Sequence, residues 1–150
     1  MKQIFISLII TLSAVNILAH GEDKPGPHGG HIKMPANFHT EVISDKDGSF
    51  HVYLLDIQFQ NPTVKDSEIK AYVMNGKKKA NLKCSVMGTN HFHCKGSKPA
   101  KTGSLILKAK REGTWASMDA KYDLPLKSFD AKPEINSPAP AQSEDHSKHH

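Results

Sequence analysis

An all-β sandwich is the fold this sequence predicts, on three observations. From residue 37 to about residue 128, short runs alternate apolar and polar side chains and are separated by turn signals, the spacing of a small antiparallel domain. No segment sustains a helical period, which disfavours an α/β arrangement. The joints also carry hairpin chemistry: Asp45-Lys46-Asp47-Gly48 suits a four-residue loop, and Asn75-Gly76 suits a two-residue turn because both positions tolerate positive φ. About seven antiparallel strands in an Ig-like sandwich follow from this pattern.

In order, strands are expected at 38–44, 49–59, 68–74, 78–86, 91–95, 104–110 and 114–122, with further turns at Gly88 and Gly113. Closing the first hairpin with Asp45 opposite Ser49 pairs Val42 with Val52, Thr40 with Leu54 and Ile43 with His51. Phe38, Val42, Val52 and Leu54 then face the core, while His39, Glu41 and His51 share the other side. One residue of slip would invert every one of these assignments. Phe38, Phe50, Val52, Leu54, Ile69, Val73, Leu82, Phe92, Leu105, Leu107, Trp115 and Met118 are the expected core.

The ends differ from this middle. Residues 1–19 have a basic start at Lys2, an apolar run from Ile4 to Val15 and a small residue at Ala19, the pattern of a secretory signal peptide. The run is short of the about 20 apolar residues that span a bilayer. A secreted or periplasmic protein without membrane insertion after cleavage is therefore expected. Residues 20–36 form a Gly/Pro-rich arm that excludes helix and long strand. Residues 129–150, dominated by Pro, Ala and Ser, read as a disordered tail ending in His146, His149 and His150. The formal charge of +5 comes from scattered lysines without aromatic interleaving, so nucleic acid is not an expected partner.

Ten histidines, as many as the glycines, ask for an explanation. Cleavage after Ala19 would start the mature chain at His20, whose amine and imidazole together suit Cu(II), an ion that favours nitrogen in tetragonal geometry. Gly29-Gly30 lets His28 and His31 turn toward a common ion. With His39, Glu41 and His51 on one strand face beneath this arm, the segment offers a mixed nitrogen and oxygen set for copper or zinc. The three tail histidines would bind such ions loosely, since nothing orders them.

Cys84 and Cys94 admit two readings. Pairing 84 with 94 also pairs 86 with 92 and 87 with 91, leaving Gly88-Thr89-Asn90 as the loop. Leu82, Cys84, Val86, Phe92 and Cys94 then share an apolar inner face, and a secreted chain with opposed cysteines forms a disulfide. The alternative is a soft Cu(I) site built from Cys84, Met87, His91, His93 and Cys94. Alternation separates these ligands, because inward cysteines turn His91, His93 and Met87 outward. The split reading is a disulfide inside and a weaker pair of imidazoles beside a thioether outside.

The segment GPHGGHIKMPANFHTEV followed by VYLLD resembles the small periplasmic domain that fronts heavy-metal efflux adaptors, in which an HGG-like stretch precedes a short β-domain. The expected His20 start is similar to that of the periplasmic copper-tolerance β-sandwich proteins, which bind Cu(II) through it. Two departures stand out. No Ser-Pro-Ala follows His20, and Ser117-Met118-Asp119 stands where those proteins carry a late Asp-His pair. The coiled-coil and lipoyl parts of an adaptor are absent from this sequence. The resemblance implies a freestanding metal-handling module with carry-over to His20, His28, His31 and His39.

The expected function is a soluble periplasmic protein that buffers or delivers copper, with zinc as the second ion, toward a heavy-metal efflux component. The competing expectation is an interaction module with incidental histidines. No nucleophile triad, catalytic carboxylate pair or nucleotide loop is present, so no enzymatic activity is expected.

Overall fold

A computed structural model describes residues 24–129. The signal segment, His20 and the tail with His146, His149 and His150 lie outside the described residues. Among the described residues nine strands form: β1 (His31–Lys33), β2 (His39–Ser44), β3 (Phe50–Leu55), β4 (Glu68–Asn75), β5 (Lys78–Met87), β6 (His91–Lys95), β7 (Gly103–Arg111), β8 (Thr114–Trp115) and β9 (Ala120–Leu124). All pairings are antiparallel, in the order β1-β2-β3-β6-β5-β4-β7-β8, with β9 also on β7. The fold is all-β, as the alternation predicts.

The sheet curls until it is nearly a closed barrel, and β5 is the corner. Its first half pairs with β4, from Lys78↔Asn75 to Leu82↔Ala71, and its second half pairs with β6, from Lys83↔Lys95 to Met87↔His91. Two layers result. The inner faces of β2, β3 and β6 supply Val42, Phe50, Val52, Leu54 and Phe92, and those of β4, β7 and β9 supply Ile69, Val73, Leu105, Leu107 and Tyr122. Burial of such side chains is worth about 1.5–3 kcal/mol each, which drives the layers together.

The open seam between β1 and the β8–β9 edge is bridged by polar contacts. The buried Tyr122 hydroxyl donates to the Thr40 carbonyl at 2.9 Å and lies 2.6 Å from the Thr40 hydroxyl. The Pro35 carbonyl accepts from Met118 N–H and from the Ser117 hydroxyl. Burial pushes the Tyr122 phenol far above its ordinary value.

Both expected registers are present: Val42↔Val52, Thr40↔Leu54 and Ile43↔His51 in one hairpin, Cys84↔Cys94, Val86↔Phe92 and Met87↔His91 in the other. Cys84 and Cys94 form the disulfide. Three expectations need correction. The arm contributes a short strand, β1, because Ile32 is 6% exposed and extends the sheet beyond β2. The expected 114–122 strand breaks at Ala116 to Asp119 into β8 and β9, and so Trp115 and Met118 are exposed rather than in the core. Val86 has the inward parity of Cys84 yet is 53% exposed, because it lies near the free end of the β5–β6 hairpin.

Candidate metal centre

The outer face of β3 and β6 carries His51, His91 and His93, and the arm with His28 lies across it. Register places Glu41 opposite Tyr53, Tyr53 opposite His91, and His51 opposite His93. The rings form a row from the arm toward the β2–β3 loop. His28 stacks on Tyr53 with centroids 3.8 Å apart, Tyr53 lies 4.8 Å from His91, and His51 lies 5.1 Å from both His91 and His93.

At the loop end, ligand atoms of Asp45, His51 and His93 lie within 4.8 Å of one another, a group that could hold a metal ion. His51 Nε2 is 2.9 Å from Asp45 Oδ2, and His93 Nε2 is 4.0 Å from the same oxygen. The Ser49 hydroxyl adds a fourth polar group, 2.9 Å from His93 Nε2 and 3.3 Å from Asp45 Oδ2. All three side chains are partly exposed, so an ion has a path in. Two imidazoles with a carboxylate form a borderline nitrogen and oxygen donor set suited to Cu(II) or Zn(II).

Neighbouring charges keep Asp45 available. Lys95, the nearest ammonium on β6, is 2.8 Å from Asp47 Oδ2 rather than on Asp45. The Lys95 side chain, with bonds from Ser49, holds the Asp47 carboxyl well below the usual carboxylate range, and Asp47 in turn raises Lys95. His51 Nδ1 is buried without a hydrogen-bond partner among the described residues, so the ring is held by Asp45 at Nε2 and by packing against His91 and His93.

His91 lies beside this group. Burial lowers its pKa, and nearby His51, His28 and His93 lower it further. Its Nδ1 is 2.8 Å from Asn90 Oδ1; with the proton on Nδ1, Nε2 keeps a bare lone pair.

The expected grouping of His39, Glu41 and His51 is divided by the arm. Glu41 is fully buried, and its carboxyl is occupied: Oε1 accepts from the backbone N–H of His28 at 2.8 Å and of Gly30 at 2.9 Å, while Oε2 faces His28 Nδ1 at 2.7 Å. Glycine permits this closeness, since a Cβ on Gly26 would come within 2.6 Å of the Glu41 carboxyl and one on Gly30 within 2.8 Å of its Cγ. Glu41 therefore positions His28 rather than meeting His51. A carboxyl on Nδ1 directs Nε2 outward, the arrangement that orients metal-ligating imidazoles.

His39 sits at the other end of β2, with Nδ1 2.9 Å from the Asp56 carbonyl and its ring stacked on Phe59. His31 points away from the row, toward a groove of about 310 Å³ between β1 and β9, where its Nε2 is 2.7 Å from the Lys127 carbonyl. Met87 is opposite His91 and 42% exposed, outside the Asp45 group. With both cysteines in the disulfide, the soft Cu(I) cluster loses its thiolates.

Asp45 and the pairing of His51 with His93 are what sequence reasoning missed. Asp45 has the parity of His39 and Glu41 on β2, a signal that carrying the face one position into the loop would have found. The β3–β6 neighbourhood depends on a non-local crossing that no local pattern encodes.

No family model matches the chain, and no curated protein or solved structure is significantly similar to it.

Proposed function

We propose that this chain is a soluble, secreted or periplasmic metal-binding protein that buffers or delivers copper, with zinc as the second ion. It acts as a carrier and not as a catalyst, and a heavy-metal efflux component is the proposed recipient. The convergence of Asp45, His51 and His93 at one end of the imidazole row carries this reading. Its donors are nitrogen and oxygen without sulfur, which favours Cu(II) over Cu(I). The signal-like residues 1–19 support the location.

The test is competition titration of Cu(II), Zn(II) and Cu(I) against the mature chain and a version lacking residues 143–150. His51→Ala and His93→Ala are each expected to weaken Cu(II) binding at least about tenfold, as loss of one ligand from a small set does. Tail removal is expected to leave the tight site intact. Affinity that disappears with the tail and ignores both substitutions would overturn the reading.

A further inference from the structure

The opposite outer face has a different chemistry. The register of β4, β5, β7 and β9 puts Ile69, Ala71, Val73, Leu105 and Leu107 inside. Lys70, Lys79, Lys108, Lys110 and Lys121 therefore project from the outside. Two carboxylates share that face: Glu68, 3.4 Å from both Lys70 and Lys110, and Asp123, 3.8 Å from Lys121. Five ammoniums against two carboxylates leave it strongly basic.

One pair within this arrangement works against folding. Lys70 and Lys108 are directly opposed across β4 and β7, and like charges at opposed positions destabilise a sheet. The aromatic rings here lie under ammoniums. Lys70 and Lys110 lie 5.0 and 5.5 Å from the Trp115 ring centroid, and Lys79 is 4.0 Å from that of Tyr72. Trp115 and Met118 are exposed at the β8 edge, 44% and 64% respectively.

We infer that this face docks on the surface of an anionic lipid bilayer. Lysine supplies 19 of the 20 basic residues of the chain. An ammonium is a hydrated point charge without the bidentate fork that reads phosphate or carboxylate geometry, so it suits a diffuse anionic plane more than a shaped partner. The charges spread over four strands instead of following a line, which matches a plane better than a polymer backbone. An exposed Trp beside them belongs at a membrane interface. Docking through this side leaves the imidazole row, on the opposite layer, facing the solvent.

The experiment is sedimentation of the mature chain with vesicles of phosphatidylcholine alone or mixed with phosphatidylglycerol, across a salt series. Binding is expected to the mixed vesicles only and to fall as salt rises. Lys108→Glu places an acid opposite Lys70, so it preserves the fold, with a melting temperature no lower than that of the parent. It removes two unit charges of attraction and is expected to weaken partitioning about thirtyfold. Its Cu(II) titration stays unchanged, which separates this inference from the metal reading. Equal binding to both vesicle types, no binding, or a Lys108→Glu variant that binds like the parent overturns it. So does capture by soluble dextran sulfate without any vesicle binding, which would assign the face to a polyanion.

Discussion

Glu41 shows how one residue decides what its neighbours can do. On an open strand its parity would present a carboxyl beside His51, yet the arm closes over it and takes both oxygens. Removing an acceptor from buried N–H groups costs about 1–3 kcal/mol per orphan. Glu41→Ala is accordingly expected to lower stability by about 2–4 kcal/mol in urea unfolding and to speed exchange of the Gly30 amide. An unchanged midpoint would mean that the arm is held by other contacts. Asp45 lies four residues further along the same hairpin, where Asp47 takes Lys95 and the Ser49 hydroxyl lies 2.9 Å from His93 Nε2.

At the level of elements, turns fix both ends of the strands that carry the site. Asp56 ends β3 and folds the next residues around its own carboxyl, which accepts from the N–H groups of Gln58 and Gln60 and from the Asn61 amide. The Gln60 N–H bond is the main reason its pKa lies below the ordinary 3.8, with Asn61 and Gln58 adding to it. A carboxyl whose folded pKa is depressed stabilises the protein above its unfolded pKa and loses that contribution as pH falls through the folded value. Asp56→Asn should therefore lower the unfolding midpoint at pH 7, and the difference from the parent should shrink well below pH 3.8. A difference that is constant with pH would sink this account.

Turn chemistry also explains what was legible in the sequence. Asp45 to Gly48 and the Cys84–Cys94 pair each fixed a hairpin register, and every cross-strand pair expected from them is present. The arm was not legible as a strand, because Gly and Pro hide the three residues of β1 and its stability comes from Glu41 and β2 rather than from propensity. Trp115 and Met118 were misplaced because hydrophobic identity says nothing about a strand break at the sheet edge. Within the candidate metal group, the sequence presents His51 and His93 on separate hairpins. Joining them required knowing that β3 lies beside β6, a contact between hairpins and not within one.

Across the described residues, the two outer faces differ in the cationic side chains that cluster on them. His51, His91 and His93 gather over β3 and β6, and Lys70, Lys108 and Lys110 over β4 and β7. Such a division lets each face work without the other's field dominating at short range, since salt screens exposed charges beyond about 8–10 Å. The polar bridge at the seam, from Tyr122 to Thr40, holds the layers together where no ladder joins them.

β5 hydrogen-bonds to β4 with one half and to β6 with the other, so a single continuous strand carries an edge of both layers. A strand shared in this way couples the layers, and the domain is expected to open as one unit. The β5 amides from Ala80 to Ser85 that enter these ladders should exchange with deuterium only through global unfolding, with one common protection value on both sides of the corner. Two distinct values would mean that the layers breathe separately, and then an ion held at Asp45 would protect only the layer that carries it.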